Sequence, residues 1–330
     1  MAVLYCPHCG APCQVPDEHL NKPVRCYQCK QVFPAVPPAP PPAPEEVPLP
    51  DFDEPPAPEP LPPCRLEIGC ATSPGRVRER NEDSCLVQHL RWINDNIGHE
   101  AALLVVADGM GGYQAGDRAS RLVIQIAADQ LGPLLAASLS RTAAEGDEPD
   151  WTAAIDSAIR EANRIVYQQA VNDPDCKGMG ATAAIMLVRD REALIGHVGD
   201  CRVYHHRGGQ VSQVTQDQTL VARMVELRQI TPEQALTHPA RNEVTQAVGK
   251  RAEIEPGHYR LELAPGDWLV IACDGLHAHV DTEALQEVLN EEGRQDAPGS
   301  RSQQVAQTLV DLADQLRGSD NCTVIAVLCY

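Results

Sequence analysis

The sequence has little of what usually binds nucleic acids or membranes. Phe, Trp and Tyr make up 4% of its 330 residues, and 46 Asp and Glu residues outnumber 27 Lys and Arg residues, for a formal net charge of -19. Such a charge repels phosphate backbones and anionic lipids, so we expect neither as the main partner. It weakly favours a cationic ligand such as a metal ion.

Long apolar runs and a secretion signal are also missing. No stretch is long enough to span a bilayer, so we expect no membrane insertion. The first ten residues, MAVLYCPHCG, lack a basic segment followed by an apolar core. We therefore expect a cytoplasmic protein, and in a reducing cytoplasm most thiols stay free.

Cysteine, in contrast, is abundant and unevenly distributed. Five of the 13 cysteines lie in the first thirty residues, four of them as Cys6-x-x-Cys9 and Cys26-x-x-Cys29. This spacing is typical of a zinc ribbon, in which four thiolates close a tetrahedral structural site. Two redox-active Cys-x-x-Cys pairs are the alternative, but a segment this short needs a staple to fold. We therefore expect a zinc ribbon over residues 1–33 with one structural Zn²⁺.

Residues 34–63 have a composition of their own. Half of them are proline, and the segment carries six acidic residues and no basic one. Such a segment cannot bury a core and favours an extended polyproline conformation, so we expect a linker. A ligand for a proline-binding domain is the alternative. From residue 64 to residue 330 the composition is that of a globular domain.

Hydrophobic periodicity divides this globular part into strands and helices. Strands are expected at residues 66–70, 84–90, 101–107, 182–189, 192–198, 201–206, 210–215, 253–263, 267–273 and 322–329. Helices are expected at residues 114–131, 151–171, 218–227, 232–236, 281–291 and 300–316. Runs of hairpin strands interrupted by helix pairs predict an α+β sandwich, with two antiparallel β-sheets packed together and helices on both outer sides.

Three aspartates stand at the ends of apolar runs. One run ends in Asp108 followed by glycines, a second ends in Asp274 followed by Gly275, and Asp320 precedes a third. Neighbouring antiparallel strands bring opposite ends together, so these acids can meet at one edge of the sheets. Clustered carboxylates repel one another unless cations hold them, and hard divalent ions prefer oxygen ligands. We therefore expect a two-metal site, although each aspartate taken singly could be a turn or capping residue.

The order of six short motifs is more specific than any one of them. They are Arg78-x-x-Asn81-Glu82-Asp83, Asp108-Gly109-Met110-Gly111-Gly112, Gly178-Met179-Gly180-Ala181-Thr182, Gly199-Asp200-Cys201-Arg202, Cys273-Asp274-Gly275-Leu276 and Asp320-Asn321-Cys322-Thr323. In this order the chain resembles the metal-dependent serine/threonine protein phosphatases, the PPM or protein phosphatase 2C family, in its bacterial form. The resemblance covers about residues 66–329.

The resemblance implies which residues bind the two ions. Asp108 resembles the carboxylate that bridges them, and the backbone carbonyl of Gly109 is implied as a further ligand. Asp274 and Asp320 resemble the other two carboxylates, one for each ion. Coordination by oxygen alone, with several waters, suits Mg²⁺ or Mn²⁺ better than zinc.

The remaining site residues are also implied by the resemblance. Asp83 resembles an acid that holds metal-bound water, with Glu82 in support. Asp200, together with Asp274, matches a weaker third metal position, although it could be only a hairpin residue. Arg78 matches the arginine that binds the substrate phosphate, because its planar fork can contact two oxygens. A surface arginine is the alternative for Arg78.

These roles imply hydrolysis of phosphoserine and phosphothreonine in proteins by in-line attack of a hydroxide that bridges the two ions. Two or three Mn²⁺ or Mg²⁺ ions are then the expected cofactors. The expected partners are phosphorylated proteins, targets of a serine/threonine kinase, and the catalytic domain is expected to be monomeric. A catalytically weak phosphoprotein-binding scaffold of the same fold is the alternative.

Several positions depart from the family pattern or have no assigned role. Some eukaryotic members carry a histidine in place of Met110, proposed to protonate the leaving alkoxide, so the acid is unassigned here. The alternation of His277 and His279 predicts packing or surface positions on one strand-like face. The segment at residues 217–249 resembles the family's flap, with Gln218 where histidine is common.

Overall fold

A computed structural model describes residues 1–37, 64–94, 96–111, 115–139, 149–292 and 300–330 of the chain. The chain divides into two compact units, Met1–Pro60 and Leu61–Tyr330. Most of the predicted linker, residues 38–63, lies outside the described residues, as does most of the stretch between the first two predicted helices. Within the described residues, no helix combines the length and apolar character needed to cross a membrane.

The small unit consists of two β-hairpins. Its strands are β1 (Ala2–Tyr5), β2 (Pro12–Val15), β3 (Pro23–Arg25) and β4 (Val32–Pro34). Strand β1 pairs with β2 and β3 pairs with β4, both antiparallel, and each hairpin turn contains one Cys-x-x-Cys pair. The buried apolar residues beside the cysteines are few, chiefly Leu4, Val15 and Phe33. So small a core needs a further constraint to stay folded.

Among its described residues, the large unit contains twelve strands, seven α-helices and one 3-10 helix, Pro174–Cys176. The strands are β5 (Leu66–Ser73), β6 (Ser84–Asn94), β7 (Ile97–Ala107), β8 (Gly109–Met110), β9 (Gly180–Ala181), β10 (Ala183–Arg189), β11 (Glu192–Val198), β12 (Arg202–Arg207), β13 (Gln210–Gln213), β14 (Gly257–Glu262), β15 (Trp268–Ala272) and β16 (Cys322–Cys329). The helices are α1 (Ala115–Ser138), α2 (Trp151–Asn172), α3 (Leu220–Glu226), α4 (Pro232–Leu236), α5 (Asp274–His277), α6 (Thr282–Glu292) and α7 (Arg301–Leu316).

Ten of these strands form two five-stranded antiparallel sheets. One has the order β14-β11-β10-β7-β6 and the other has the order β13-β12-β15-β16-β5. Strand side chains alternate between faces, which explains why the central strands are apolar throughout. In β7, Leu103 and Val105 pack under α1 and α2, whereas Leu104 and Val106 enter the core between the sheets.

The second sheet repeats this pattern toward the other helices. Ile271 of β15 faces the core between the sheets, and its neighbour Val270 packs under α6 and α7. The result is four layers, with a helix pair on each outer face of two packed sheets. The predicted α+β sandwich is therefore confirmed.

Most predicted elements are present, with two informative differences. Helix α1 continues through Pro133 to Ser138, because the buried side chain of Leu135 still packs on the core. His277 and His279 do not share a strand face, so that part of the prediction was wrong. Asp274 opens the short helix α5, which ends at His277, and His279 lies just beyond it. An acid in the first turn favours helix formation there, which the strand-like alternation concealed.

Candidate metal centre

The topology brings the ends of four strands to one place. Strand β15 pairs with β16 so that Ala272 lies opposite Val324, which sets Asp274 near Asp320. In the other sheet Ser84 lies opposite Ala107, which sets Asp83, at the start of β6, near Asp108, at the end of β7. Four aspartates that are remote in sequence therefore collect at the same edge of the two sheets.

The negative charges of these carboxylates act on one another. Burial, and next the negative charges of Asp83 and Asp274, raise the pKa of Asp108 well above its ordinary value. The charges of Asp200 and Asp320 act on Asp108 in the same direction. Burial, and next the charge of Asp320, raise the pKa of Asp274. A cluster of this kind disfavours its own ionised form and attracts cations.

Two carboxylate oxygens in the cluster are buried without a hydrogen-bond partner. They are Oδ1 of Asp83 and Oδ1 of Asp274. The other oxygen of Asp83 accepts a hydrogen bond from the Thr323 hydroxyl at 2.7 Å. Buried polar atoms are nearly always satisfied, so two orphaned oxygens in one acidic cluster call for a cation or ordered water. The donor set is all oxygen, which fits Mg²⁺ or Mn²⁺.

The acidic cluster is wider than the ligand sphere of a single ion. In the described part of the chain, one group of three or more potential metal ligands has all its donor atoms within 4.8 Å of one another. That group consists of the four cysteines of the ribbon. No three carboxylates converge that closely in the described part of the chain. Pairs of these acids could instead serve separate ions, as the two-metal expectation requires.

The backbone is packed too tightly after Asp108 and Asp274 for any residue but glycine. A Cβ atom on Gly109 would lie 2.2 Å from the carbonyl oxygen of Gly116, and a Cβ on Gly275 would lie 1.9 Å from that of Asn321. The Asp-Gly pattern is therefore a requirement of close packing behind the carboxylates. These contacts fix where each aspartate leaves its strand.

Thr182 holds the backbone of Asp108 from the neighbouring strand. The N–H of Asp108 donates to Oγ1 of Thr182 at 2.9 Å, and the N–H of Thr182 donates to the carbonyl of Asp108 at 2.9 Å. Thr182 is fully buried. Its role is to position Asp108 and not to contact a ligand.

Arg78 lies at the rim of the cluster. Its Nη2 donates to Oδ2 of Asp320 at 2.8 Å, and its side chain is 52% exposed. A guanidinium has five N–H donors in a fixed fork, so this ion pair leaves donor capacity for an anion from solvent. Burial raises the pKa of the nearby carboxyl of Glu82. The charge of Arg78 lowers that pKa and the charge of Asp320 raises it, so the three charged side chains interact with one another.

Asn321 is a site residue to which sequence reasoning gave no role. Its Oδ1 accepts from the N–H of Glu82 at 2.9 Å, and its Nδ2 donates to the carbonyls of Pro74 at 2.9 Å and Arg80 at 2.8 Å. These bonds fix both ends of the short segment that carries Arg78. The sequence signal for this role is the position of Asn321, directly after Asp320 and directly before a buried strand.

Asp200 lies in the turn between β11 and β12 and is buried. Burial, and next the charge of Asp274, raise its pKa to about 7. The carbonyl of Asp200 accepts a hydrogen bond from Nε2 of His277 at 3.0 Å. Asp200 therefore belongs electrostatically to the cluster, and His277 has a structural role in holding its turn.

Gln218 joins the Asp200 turn to the flap-like segment at residues 217–249. Its N–H donates to the carbonyl of Gly199 at 2.8 Å, and its Oε1 accepts from the N–H of Gly199 at 3.0 Å. Its carbonyl accepts from the N–H of Thr245 at 2.7 Å. The backbone N–H and the side-chain oxygen of Gln218 thus both pair with Gly199, and its Nε2 donates instead to the carbonyl of Glu255 at 3.2 Å.

The four ribbon cysteines form a second, separate cluster. The Sγ atoms of Cys6 and Cys29 lie 3.7 Å apart, as do those of Cys9 and Cys26. A tetrahedron with metal–sulfur bonds of about 2.3 Å has sulfur–sulfur edges of about 3.8 Å. Hydrogen bonds from the backbone N–H groups of Cys29 and Gln28 lower the pKa of Cys26 to about 6, which favours the thiolate. The cluster therefore fits one tetrahedral metal ion.

Without metal ions, the protein should lose stability as the pH rises through about 6 to 7. Burial raises the pKa of Asp83 to about 6 and that of Asp200 to about 7, from 3.8. At pH values between 3.8 and these raised pKa values, the folded state binds more protons than the unfolded state. The free energy of unfolding therefore falls as the pH rises through this range. We expect the Tm of chelated protein to drop by several degrees between about pH 4 and about pH 8.

Differential scanning calorimetry over that range tests this prediction. Asp200→Asn removes one of the two groups, so the upper part of the Tm–pH curve should become flatter in this variant. A wild-type Tm that rises with pH between about 5 and about 7 in chelated protein would contradict the raised pKa values.

Comparison with known families places these features in context. The family profile described as Protein phosphatase 2C matches residues 76–314. The chain is 35% identical over 263 residues to the serine/threonine protein phosphatase PstP of Mycobacterium tuberculosis, in a match that covers 79% of this chain and 44% of PstP. The match therefore spans less than half the length of that relative. The protein phosphatase PhpP of Streptococcus pneumoniae is 30% identical over 263 residues, which cover 79% of this chain and 97% of PhpP.

Solved structures show the same similarity. The Streptococcus agalactiae serine/threonine phosphatase superimposes with a TM-score of 0.66 and 28% identity over 81% of this chain and 100% of that one. The catalytic domain of PstP, solved in complex with two manganese ions, superimposes with a TM-score of 0.62 and 30% identity over 80% of this chain and 98% of that one.

Proposed function

This chain belongs to the protein phosphatase 2C family of serine/threonine phosphatases, and from that premise we propose that it hydrolyses phosphoserine and phosphothreonine in proteins with the help of divalent metal ions. The observation that carries the proposal is the cluster of Asp83, Asp108, Asp274 and Asp320, with two orphaned buried oxygens and Arg78 at its rim. An acidic cluster alone would repel a phosphate, whereas one that holds cations beside an arginine would bind it.

The residues present fit such ions. Asp108, Asp274 and Asp320, with the carbonyl of Gly109, would hold two of them, and Asp200 with Asp274 would hold a third. Bound divalent ions supply an activated water nucleophile and offset the charge of the phosphoryl oxygens. Mn²⁺ and Mg²⁺ are the proposed cofactors.

The chain's own groups then bind and orient the reactants. Arg78 would contact phosphate oxygens with the exposed part of its guanidinium, while Asp320 holds its Nη2. Asp83, fixed through Oδ2 by Thr323, would accept a hydrogen bond from the attacking water at its free Oδ1. Met110 has no proton to give, so the leaving alkoxide would take its proton from solvent.

For the small unit we propose one structural Zn²⁺ bound by Cys6, Cys9, Cys26 and Cys29. Four thiolates fill a tetrahedral ion completely, so the site has no open position for catalysis. The ribbon lacks a dense basic patch, since its basic residues are only Lys22, Arg25 and Lys30, against Asp17 and Glu18. This balance favours protein docking over nucleic-acid binding as its role.

We further propose that the protein acts in the cytoplasm on targets of a serine/threonine kinase, with a monomeric catalytic domain. None of the 13 cysteines, each in the described part of the chain, forms a disulfide, which suits a reducing compartment.

Turnover of a phosphopeptide tests the proposed function directly. With Mn²⁺ present, the full chain should release inorganic phosphate from a phosphothreonine peptide over many cycles, and a chelator should stop the release. A scaffold would instead bind the peptide without turnover, which calorimetry detects as a fixed stoichiometry. Binding without phosphate release in Mn²⁺ or Mg²⁺ would contradict the proposal.

Arg78→Lys should lower kcat/KM on a phosphopeptide by about 10- to 100-fold, because lysine cannot contact two oxygens of one phosphate as a planar fork does. Steady-state phosphate release measures the effect. Arg80→Lys is the matched control, since Arg80 is exposed in the same segment, and it should stay near wild-type activity. Equal losses in both variants would assign the effect to the segment instead of the Arg78 fork.

A further inference from the structure

Two thiols at the edge of the sheets differ from all other thiols of the large unit. Six of its eight cysteines are buried, and only Cys70 and Cys85 keep partial exposure. The Sγ atoms of these two lie 3.3 Å apart. A disulfide bond has a length of about 2.05 Å, so an approach of little more than about 1 Å would join them. The two partly exposed cysteines are therefore also a preformed pair.

The pair connects the two sheets beside the metal centre. Cys70 lies on β5, the edge strand of one sheet, and Cys85 lies on β6, the edge strand of the other. Both side chains pack against the core between the sheets. They are 15 residues apart in sequence, and the segment between them carries Arg78 and Asp83. A bond between the sulfurs would close this segment into a covalent loop.

We propose that Cys70 and Cys85 are a redox modification site, which hydrogen peroxide converts to a disulfide that reversibly lowers phosphatase activity. The activity part of this proposal rests on the proposed function, whereas formation of the disulfide does not.

The chemistry balances with the peroxide as the oxidant. One cysteine sulfur attacks a peroxide oxygen, the O–O bond breaks, and the products are a sulfenic acid and water. The second sulfur then attacks the sulfenic sulfur, the S–O bond breaks, and another water leaves. The two thiols lose two electrons and two protons in total, and hydrogen peroxide is reduced to two waters. A dithiol reductant reverses the change by thiol–disulfide exchange.

The consequence for activity follows from the hydrogen bonds of Thr72 and Asp83, which lie two residues from Cys70 and Cys85, respectively. Oδ2 of Asp83 accepts from the Thr323 hydroxyl at 2.7 Å, and the hydroxyls of Thr323 and Thr72 lie 2.8 Å apart. Drawing β5 and β6 together would displace Asp83 relative to this chain of bonds. Misplacement of a reacting group by about 1 Å can cost about 100-fold in rate. We expect a loss of about 10-fold or more on oxidation.

The experiment uses the reduced full chain, with Mn²⁺ in the assay and hydrogen peroxide as the probe. Peptide mapping by mass spectrometry should find a Cys70–Cys85 cross-link, two hydrogen atoms lighter than the free thiols. Phosphate release should fall by about 10-fold or more and return after dithiothreitol. Cys70→Ser and Cys85→Ser should keep their activity in the same peroxide, with folding checked by circular dichroism. Cys176→Ser removes a buried thiol elsewhere and should stay as sensitive as wild type.

Two results would overturn the proposal. One is the absence of the cross-link under conditions that oxidise other thiols. The other is a Cys70→Ser protein as sensitive to peroxide as wild type, which would assign the loss to another cysteine, such as those of the ribbon. A cross-link that leaves phosphate release unchanged refutes the regulatory part. If the reduced protein has no phosphatase activity, the proposed function has failed, and the peptide map still decides the modification site.

Discussion

Asp108→Asn is expected to abolish phosphate release and, at the same time, to raise the Tm of the metal-free protein. Both effects have one cause. Burial and the charges of Asp83 and Asp274 raise the pKa of Asp108, so its ionised form is unfavourable in the folded protein without cations. Asparagine resembles the neutral acid and relieves this repulsion. Its neutral amide would be a weaker ligand than the carboxylate that we propose for the divalent ions, so kcat should fall on the order of 1,000-fold or more.

Calorimetry separates the two effects. In chelated protein we expect a Tm increase of about 2–4 °C for each kcal/mol of relieved repulsion. On addition of Mn²⁺, the wild-type Tm should rise, because a ligand that binds only the folded state stabilises it. The variant should show little of that rise. The variant would thus lose both its activity and its Tm increase with Mn²⁺, although its metal-free form is more stable than that of the wild type.

Asp156→Asn is the matched control for this prediction. Asp156 lies on α2 and pairs at the surface with Arg160 and His258, remote from the acidic cluster. Its replacement should leave the Mn²⁺ response and kcat unchanged and alter Tm only slightly. An Asp108→Asn protein that keeps its activity, or whose metal-free Tm falls sharply, would show that Asp108 is not part of a repulsive metal-binding cluster.

The sandwich and the position of its acids could be predicted because both depend on local patterns. An apolar strand that ends in Asp-Gly specifies a buried strand, a carboxylate at its end and a close backbone contact behind it. The structure explains the glycine in Asp274-Gly275. A Cβ on Gly275 would lie 1.9 Å from the backbone of Asn321, which is too close for any other residue. The antiparallel order then brings Asp274 and Asp320 together without further information.

The hydrogen bonds that position the site could not be predicted in this way. Asn321 holds the N–H of Glu82 across 239 positions of sequence, and Gln218 pairs with Gly199 across 19. Neither contact follows from periodicity, because both depend on where two separate segments pack. The same limit explains His277, whose alternation with His279 suggested a strand although a helix begins at Asp274. Tertiary packing overrode the local pattern there.

Cys26→Ser is expected to unfold the small unit and leave phosphatase activity unchanged. The unit buries only a few apolar side chains beside its cysteines, so its folding should depend on the metal. Binding of zinc contributes about 10–16 kcal/mol to folding in comparable small domains. Loss of one of four thiolates should remove most of the bound zinc. Atomic spectroscopy of the full chain should find one zinc per molecule in the wild type and almost none in the variant.

Cys13→Ser is the matched control, because Cys13 is buried in the same unit but lies outside the group of four. Its Sγ donates to the carbonyl of Ala11 at 3.8 Å. This variant should keep its zinc and the dispersed NMR signals of the ribbon, whereas Cys26→Ser loses both. Both variants should release phosphate at the wild-type rate, since the large unit is compact in its own right. Zinc retained in Cys26→Ser, or lost equally in Cys13→Ser, would contradict a four-cysteine site.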